Sequence, residues 1–161
     1  MNFFRRKIWL STVFLLMSGF ISAQDRPQIK ITLLSQKIYQ TADGATDYRS
    51  LRFRFVNLTK HSIIIHGHAD DDGFHPVSYS LRYNETTKQW VYPTADNKPI
   101  LWQEMKSYVY HTEQLLPQKG VVLEVKIKSE KAGEQVKKVF YLADDRNQEP
   151  YQVMSSSFRL K

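Results

Sequence analysis

The residues best suited to chemistry fall in one short stretch. His61, His66, His68, Asp70, Asp71, Asp72 and His75 place four histidines and three carboxylates within 15 positions. Imidazole nitrogens and carboxylate oxygens are ligands for zinc, copper or nickel. His66 and His68 are two apart on an expected strand and so share a face. His66, His68, His75 and Asp70 are therefore the candidate metal ligands. Register decides whether they meet. If Asp71-Asp72-Gly73 is a three-residue hairpin loop, Ile65 lies opposite Tyr79 and Ile63 opposite Leu81, a sensible apolar face. His66 and His68 then face Ser78 and Pro76, and His75 faces Ala69, away from both. A slip of one residue aligns His68 with His75 instead, because one step reverses every face. The three-residue loop is the expected register, and it leaves a solvated hairpin with surface histidines. The aspartate run is not an EF-hand, since the twelfth position from Asp70 is Leu81 where a carboxylate is required.

Aromatic residues form the second group. Trp90, Tyr92, Trp102, Tyr108 and Tyr110 lie close in sequence. On a sheet face, Trp90, Tyr92, Trp102 and Tyr110 could stack on sugar rings or anchor a protein partner. The expected role of Tyr79, Trp90 and Trp102 is simpler: they fill a core between two sheets, because aromatics dominate core burial. Lys126, Lys128, Lys131, Lys137 and Lys138 cluster around a late hairpin. They read as solvated edge lysines that discourage strand pairing.

Catalytic signatures are absent. The chain holds no G-x-S-x-G elbow, no H-E-x-x-H, no phosphate-binding glycine loop and no dinucleotide fingerprint. His111 and Glu113 share a strand face, and Ser155-Ser156-Ser157 has no histidine nearby in sequence. No catalytic residue and no cofactor is expected, and the chain reads as a non-enzyme. The absence of cysteine excludes disulfides, thiolate metal sites, a cysteine nucleophile and lipid attachment at an N-terminal cysteine.

The elements that would position these groups are strands. Apolar and polar residues alternate at Ile29–Leu33, Leu51–Phe55, Val77–Tyr83 and Val121–Ile127. Shorter β-rich runs lie at Ser62–His66, Gln89–Tyr92, Tyr108–Leu116, Val136–Leu142 and Val153–Leu160. Turn clusters separate them, among them Thr41-Ala42-Asp43-Gly44, Asp70 to Gly73 and Pro117 to Gly120. Only Gln103–Tyr108 suggests a helical turn. The fold class is all-β, an antiparallel sandwich of about eight strands.

Leu51 to Asn57, reading LRFRFVN, followed by Ile63-Ile64-Ile65, resembles strands B and C of bacterial immunoglobulin-like domains. Leu116 to Gly120 before an alternating strand resembles their late hairpin, and Val153 to Phe158 their last strand. The resemblance spans most of residues 28–160. It implies an immunoglobulin-like scaffold and no particular activity. The paired cysteines and intervening tryptophan of antibody-type domains are missing.

The first 23 residues set the location. Arg5-Arg6-Lys7 precedes an uncharged apolar run from Ile8 to Ile21, and Ser22-Ala23 follows before the first carboxylate, Asp25. That is the layout of a secretory signal peptide cleaved after Ala23. The apolar run is shorter than the roughly 20 residues a spanning helix needs. Residues 24–161 then form a single domain. Losing three basic residues lowers the net charge from +7 to +4, which removes most support for a nucleic-acid partner. The expected protein is a periplasmic or secreted, non-catalytic binding module of a bacterial envelope. Its expected partner is another envelope or secreted protein, in an inhibitor or immunity role for example. The alternatives are a carbohydrate-binding module and a metal-binding envelope protein. N-terminal sequencing of the protein recovered from its native host is expected to start at Gln24; a chain starting at Met1 overturns the leader assignment.

Overall fold

The computed structural model describes residues 28–40, 47–128 and 132–161. The leader, the Thr41–Gly44 turn and Lys131 lie outside the described residues.

The strands, in chain order, are β1 (Ile29–Gln40), β2 (Asp47–Asn57), β3 (Ile63–Asp70), β4 (Gly73–Pro76), β5 (Ser78–Asn84) and β6 (Gln89–Val91). After α1 (Trp102–Met105) and a 3-10 turn (Lys106–Tyr108) come β7 (His111–Leu115), β8 (Gly120–Lys128), β9 (Gln135–Asp144), β10 (Pro150–Met154) and β11 (Phe158–Arg159). The expected helical turn is therefore present. The expected last strand is interrupted at Ser155–Ser157 into β10 and β11.

The strands form two antiparallel sheets. One has the order β1-β2-β8. The other carries β3, β4, β5, β6 and β9, with β7 on β3 and with β10 and β11 on β9. Alternation in β2 and β8 turns Leu51, Phe53, Phe55, Leu123, Val125 and Ile127 inward. They meet Ile63, Ile65, Val136, Phe140 and Leu142 of the second sheet. Phe140 stands edge-on between Phe53 and Phe55, with centroids 5.4 and 4.9 Å away, a favoured aromatic geometry. This is the core of an all-β sandwich, as the alternation implies.

A second apolar cluster lies on the other face of the second sheet. Val77, Tyr79, Leu81, Val139 and Tyr141 form it, and the segment from Trp90 to Val109 covers it. The aromatics thus correct one expectation. Tyr79, Trp90 and Trp102 are packed, but on this outer face and not between the sheets. The chain stretch that carries α1 makes a third layer there.

The hairpin register is also corrected. β3 and β4 pair Asp70 with Gly73 and His68 with His75 around a two-residue loop, Asp71-Asp72. Gly73 has φ +117, which glycine adopts without strain. β5 does not continue along β3. Ile63 and Ile65 pair with Asp144 and Leu142 of β9, and Tyr79 pairs with Val139. The long, doubly apolar β9 takes the position beside β3 that the hairpin's second strand was expected to hold.

Asn57 closes the end of β2 and is fully buried. Its Nδ2 donates to the carbonyls of His61 (2.7 Å) and Leu115 (3.0 Å). Its Oδ1 accepts from the Thr59 amide (2.9 Å) and hydroxyl (2.7 Å). With both amide hydrogens engaged, Asn57 ties the β2–β3 turn to β7. Asn57→Ala orphans buried carbonyls and is expected to lower unfolding stability by about 2–3 kcal/mol, measured by urea denaturation; a loss under about 0.5 kcal/mol removes the residue from this role.

Candidate functional site

The cleft begins with the parity of β5. Tyr79 and Leu81 point to the outer cluster, so Ser78 and Ser80 point toward the first sheet. Ser78 lies opposite Phe140, and Ser80 opposite Lys138. Where the rest of the second sheet offers apolar groups to the interior, this end offers two hydroxyls and an ammonium. The two sheets do not close on one another here. They leave a cleft of about 840 Å³, bounded by the β3–β4 hairpin, β5, β8 and the 100–110 segment.

Lys138 is buried on the cleft wall, and its Nζ lies 3.1 Å from Ser80 Oγ. Arg82 stands at the same wall, 3.6 Å from Glu134. Val77, Ile100 and Met105 supply apolar surface, and Tyr108 and Tyr110 stand on the rim. These two tyrosines are 61% and 75% exposed, in contrast to the packed aromatics around them. The Tyr110 amide donates to Gly67 O (3.0 Å), which fixes the rim to β3.

The 100–110 segment is held by a buried polar chain. Tyr141 Oη donates to the Ile100 carbonyl (2.7 Å), as does Gln152 Nε2 (2.6 Å). Tyr79 Oη donates to Gln152 Oε1 (3.0 Å). Burial, with the neighbouring Tyr92 adding to it, pushes the Tyr79 phenol up to about 12. Burial also pushes Tyr141 upward. Both hydroxyls therefore stay protonated donors across the physiological range.

Of the expected metal ligands, His68, Asp70 and His75 lie together and His66 stands apart. His68 and His75 are brought side by side by the observed register, with ring centroids 5.4 Å apart. His75 is buried. Its Nδ1 lies 3.1 Å from the Glu124 carbonyl and its Nε2 3.0 Å from Asp70 Oδ1. Both of its ring nitrogens are thus engaged within the protein, one by a backbone carbonyl and one by a carboxylate. His66 lies apart, against Trp102 at 4.6 Å. Among the described residues, no three His, Cys, Asp or Glu side chains converge to hold a metal ion.

The expected aromatic binding set also divides. Trp90 packs on Tyr83 and lies under Lys137, 4.5 Å from its ring centroid. Tyr92 packs near Tyr79, and Trp102 between His66 and Tyr141. Tyr110 alone of the four is open to solvent. Lys137 and Lys138 belong to the second sheet and so part from Lys126 and Lys128 of the first. The sequence held a signal for the cleft: the Ser78/Ser80 alternation beside Lys138. The apolar face of that alternation, Tyr79 and Leu81, turns outward and leaves the serines inside.

No family model matches this chain, and no curated protein matches it. Solved structures of similar shape include these two. One is a protein provisionally assigned as ApaA from Bordetella pertussis, with 9% identity over 83% of this chain and 93% of that one, at a TM-score of 0.47. The other is a Northeast Structural Genomics Consortium target with 6% identity over 84% of this chain and 86% of that one, at a TM-score of 0.48. Neither describes an activity.

Burial against Trp102 holds the His66 imidazole below its ordinary range. An unfolded histidine binds its proton near about pH 6.5. A depressed folded-state value therefore contributes stability above that pH, and the contribution is lost as pH falls through it. Urea midpoints are expected to decline from about pH 7 to about pH 5, and His66→Phe to flatten part of that decline. An unchanged pH profile in the variant refutes the assignment.

Proposed function

We propose that this chain is an exported, non-catalytic binding module of a bacterial cell envelope, built on an immunoglobulin-like domain, and that it receives a segment of another protein in the inter-sheet cleft. The observation that carries the reading is the cleft itself, open between the sheets and rimmed by two exposed tyrosines. Tyrosine, methionine and arginine are the side chains enriched at protein interfaces, and Tyr108, Tyr110, Met105 and Arg82 supply them here. Tyrosine brings a large contact area with few rotatable bonds to immobilise. An acidic group on the incoming segment complements Arg82 and Lys138.

The immunoglobulin-like reading draws support from strand placement. The two segments that resemble strands B and C fall in β2 and β3, in different sheets. The segment that resembles the last strand falls in β10 and β11, both against β9. Strands B and C of an immunoglobulin-like domain likewise lie in opposite sheets, with the last strand on its predecessor; the segment that resembles the late hairpin departs from that pattern, since it joins β7 and β8 of different sheets. Export rests on the leader layout of residues 1–23.

A photo-activatable cross-linker at position 110 in living cells is expected to capture a discrete envelope protein. The same cross-linker at Lys60, at the other end of β3, is expected to capture none. Tyr110→Ala in the purified pair is expected to weaken binding at least about tenfold. Equal capture from both positions, or an unchanged affinity in the variant, rejects the cleft as the docking site.

A further inference from the structure

The three-stranded sheet has a second face, and register alone determines its chemistry. Leu51, Phe53, Phe55, Leu123, Val125 and Ile127 point into the core. Residues between them on β2 and β8, and those paired with them on β1, must point the other way. The pairing Thr32–Arg54–Val122 forms one row across the sheet, and Ser35–Arg52–Glu124 the next. Lys37–Ser50–Lys126 and Tyr39–Tyr48–Lys128 follow, and Lys30–Val56–Gly120 stands at the far end. One face thus gathers Lys30, Lys37, Arg52, Arg54, Lys126 and Lys128, and Glu124 is its one carboxylate among the described residues. All six cationic residues are exposed.

Most of this charge is not neutralised by the protein. Asp72 pairs with Lys126 from the hairpin loop. Among the described residues, Lys30, Lys37, Arg52, Arg54 and Lys128 form no ion pair with any carboxylate. Solvated surfaces ordinarily intersperse the two signs. A single-sign field over a continuous surface instead raises the local concentration of counter-charged ligands.

We infer that the outer face of the β1-β2-β8 sheet is a docking track for an acidic polysaccharide, a surface that meets the inter-sheet cleft only along its β8 edge, at Lys126 and Lys128. Charge complementarity sets the sign of the ligand, and shape sets its class. The face is only three strands wide, roughly 10 Å, while β1 runs for roughly 35–40 Å. Arg52 and Arg54 on β2, and Lys126 and Lys128 on β8, are each two residues apart, about 7 Å along a strand. Sheets twist right-handedly, so a plane such as a membrane touches such a track only in part. A linear chain can follow the twist along its length. Single-stranded nucleic acid is read by aromatic rings open for base stacking. Among the described residues, the rings on this face are Tyr39 and Tyr48, stacked on each other at 5.2 Å and 13°. That leaves carboxylate or sulfate groups on a sugar chain, met by lysine and arginine without base readout.

The purified protein should bind fluorescent heparin and polygalacturonate, with affinity falling roughly tenfold or more between about 50 and about 200 mM salt, as multiple ion contacts are released. The pair Arg52→Glu and Arg54→Glu reverses charge at the centre of the track on exposed side chains. It should lower affinity at least about 30-fold, whereas Lys88→Glu with Lys98→Glu, on distant loops, should change it less than about threefold. NMR shift changes on ligand addition should fall on the amides of β1, β2 and β8, a readout that needs no variant to fold. The inference is overturned if the Arg52/Arg54 pair binds as well as the unaltered protein. It is equally overturned if the shifts fall on β5 and the 100–110 segment and leave β1 and β2 unmoved, or if poly(U) or phosphatidylglycerol vesicles are preferred to both polysaccharides. The Tyr110 cross-linking experiment is unaffected by any of these results.

Discussion

Strand β9 is covered on both faces, and the rest of the molecule is arranged to keep it so. Phe140 and Leu142 are fully buried against the first sheet, while Val139 and Tyr141 are buried against the layer that carries α1. A strand with two apolar faces cannot sit at the surface of a two-layer sandwich. It needs a third layer, and the stretch from Trp90 to Val109 supplies one. Tyr141 joins the two requirements. Its ring fills the outer cluster and its hydroxyl holds the Ile100 carbonyl. The buried phenol is satisfied, so the aromatic can be placed there without an orphaned polar group.

The cleft is a by-product of the same constraint. Once Tyr79 and Leu81 serve the outer cluster, period two forces Ser78 and Ser80 toward the interior. Two serines and Lys138 cannot fill the volume that phenylalanines fill further along. The hairpin β3–β4 leans across the gap and is fastened to β8 by His75 on the Glu124 carbonyl and by Asp72 on Lys126. His68 meets His75 in the process, as a consequence of the two-residue loop. The rim tyrosines are left with their rings in water because the covering layer ends there.

The two outer faces of the sandwich are consequently unlike. One is apolar and roofed by its own chain. The other is not roofed by an α1-type layer, and among the described residues all but one of its charged side chains are basic. The same fold thus carries a shaped, partly apolar recess and a twisted cationic surface.

Alternation in the sequence was enough to establish the strands, the all-β class and the inward residues of β2 and β8, because side-chain direction in a strand is a local property of the backbone. The LRFRFVN run states its buried face by itself. The partner of each strand was not legible. Ile63 and Ile65 look equally well matched to Leu81 and Tyr79 or to β9, since an apolar face fits any other apolar face. Contacts made across some 80 residues of chain settled it. For β5, local pattern named two faces but not which one is interior, since both neighbours of that strand are apolar. Only the competition among all strands for the same core volume turned Tyr79 outward and Ser80 inward.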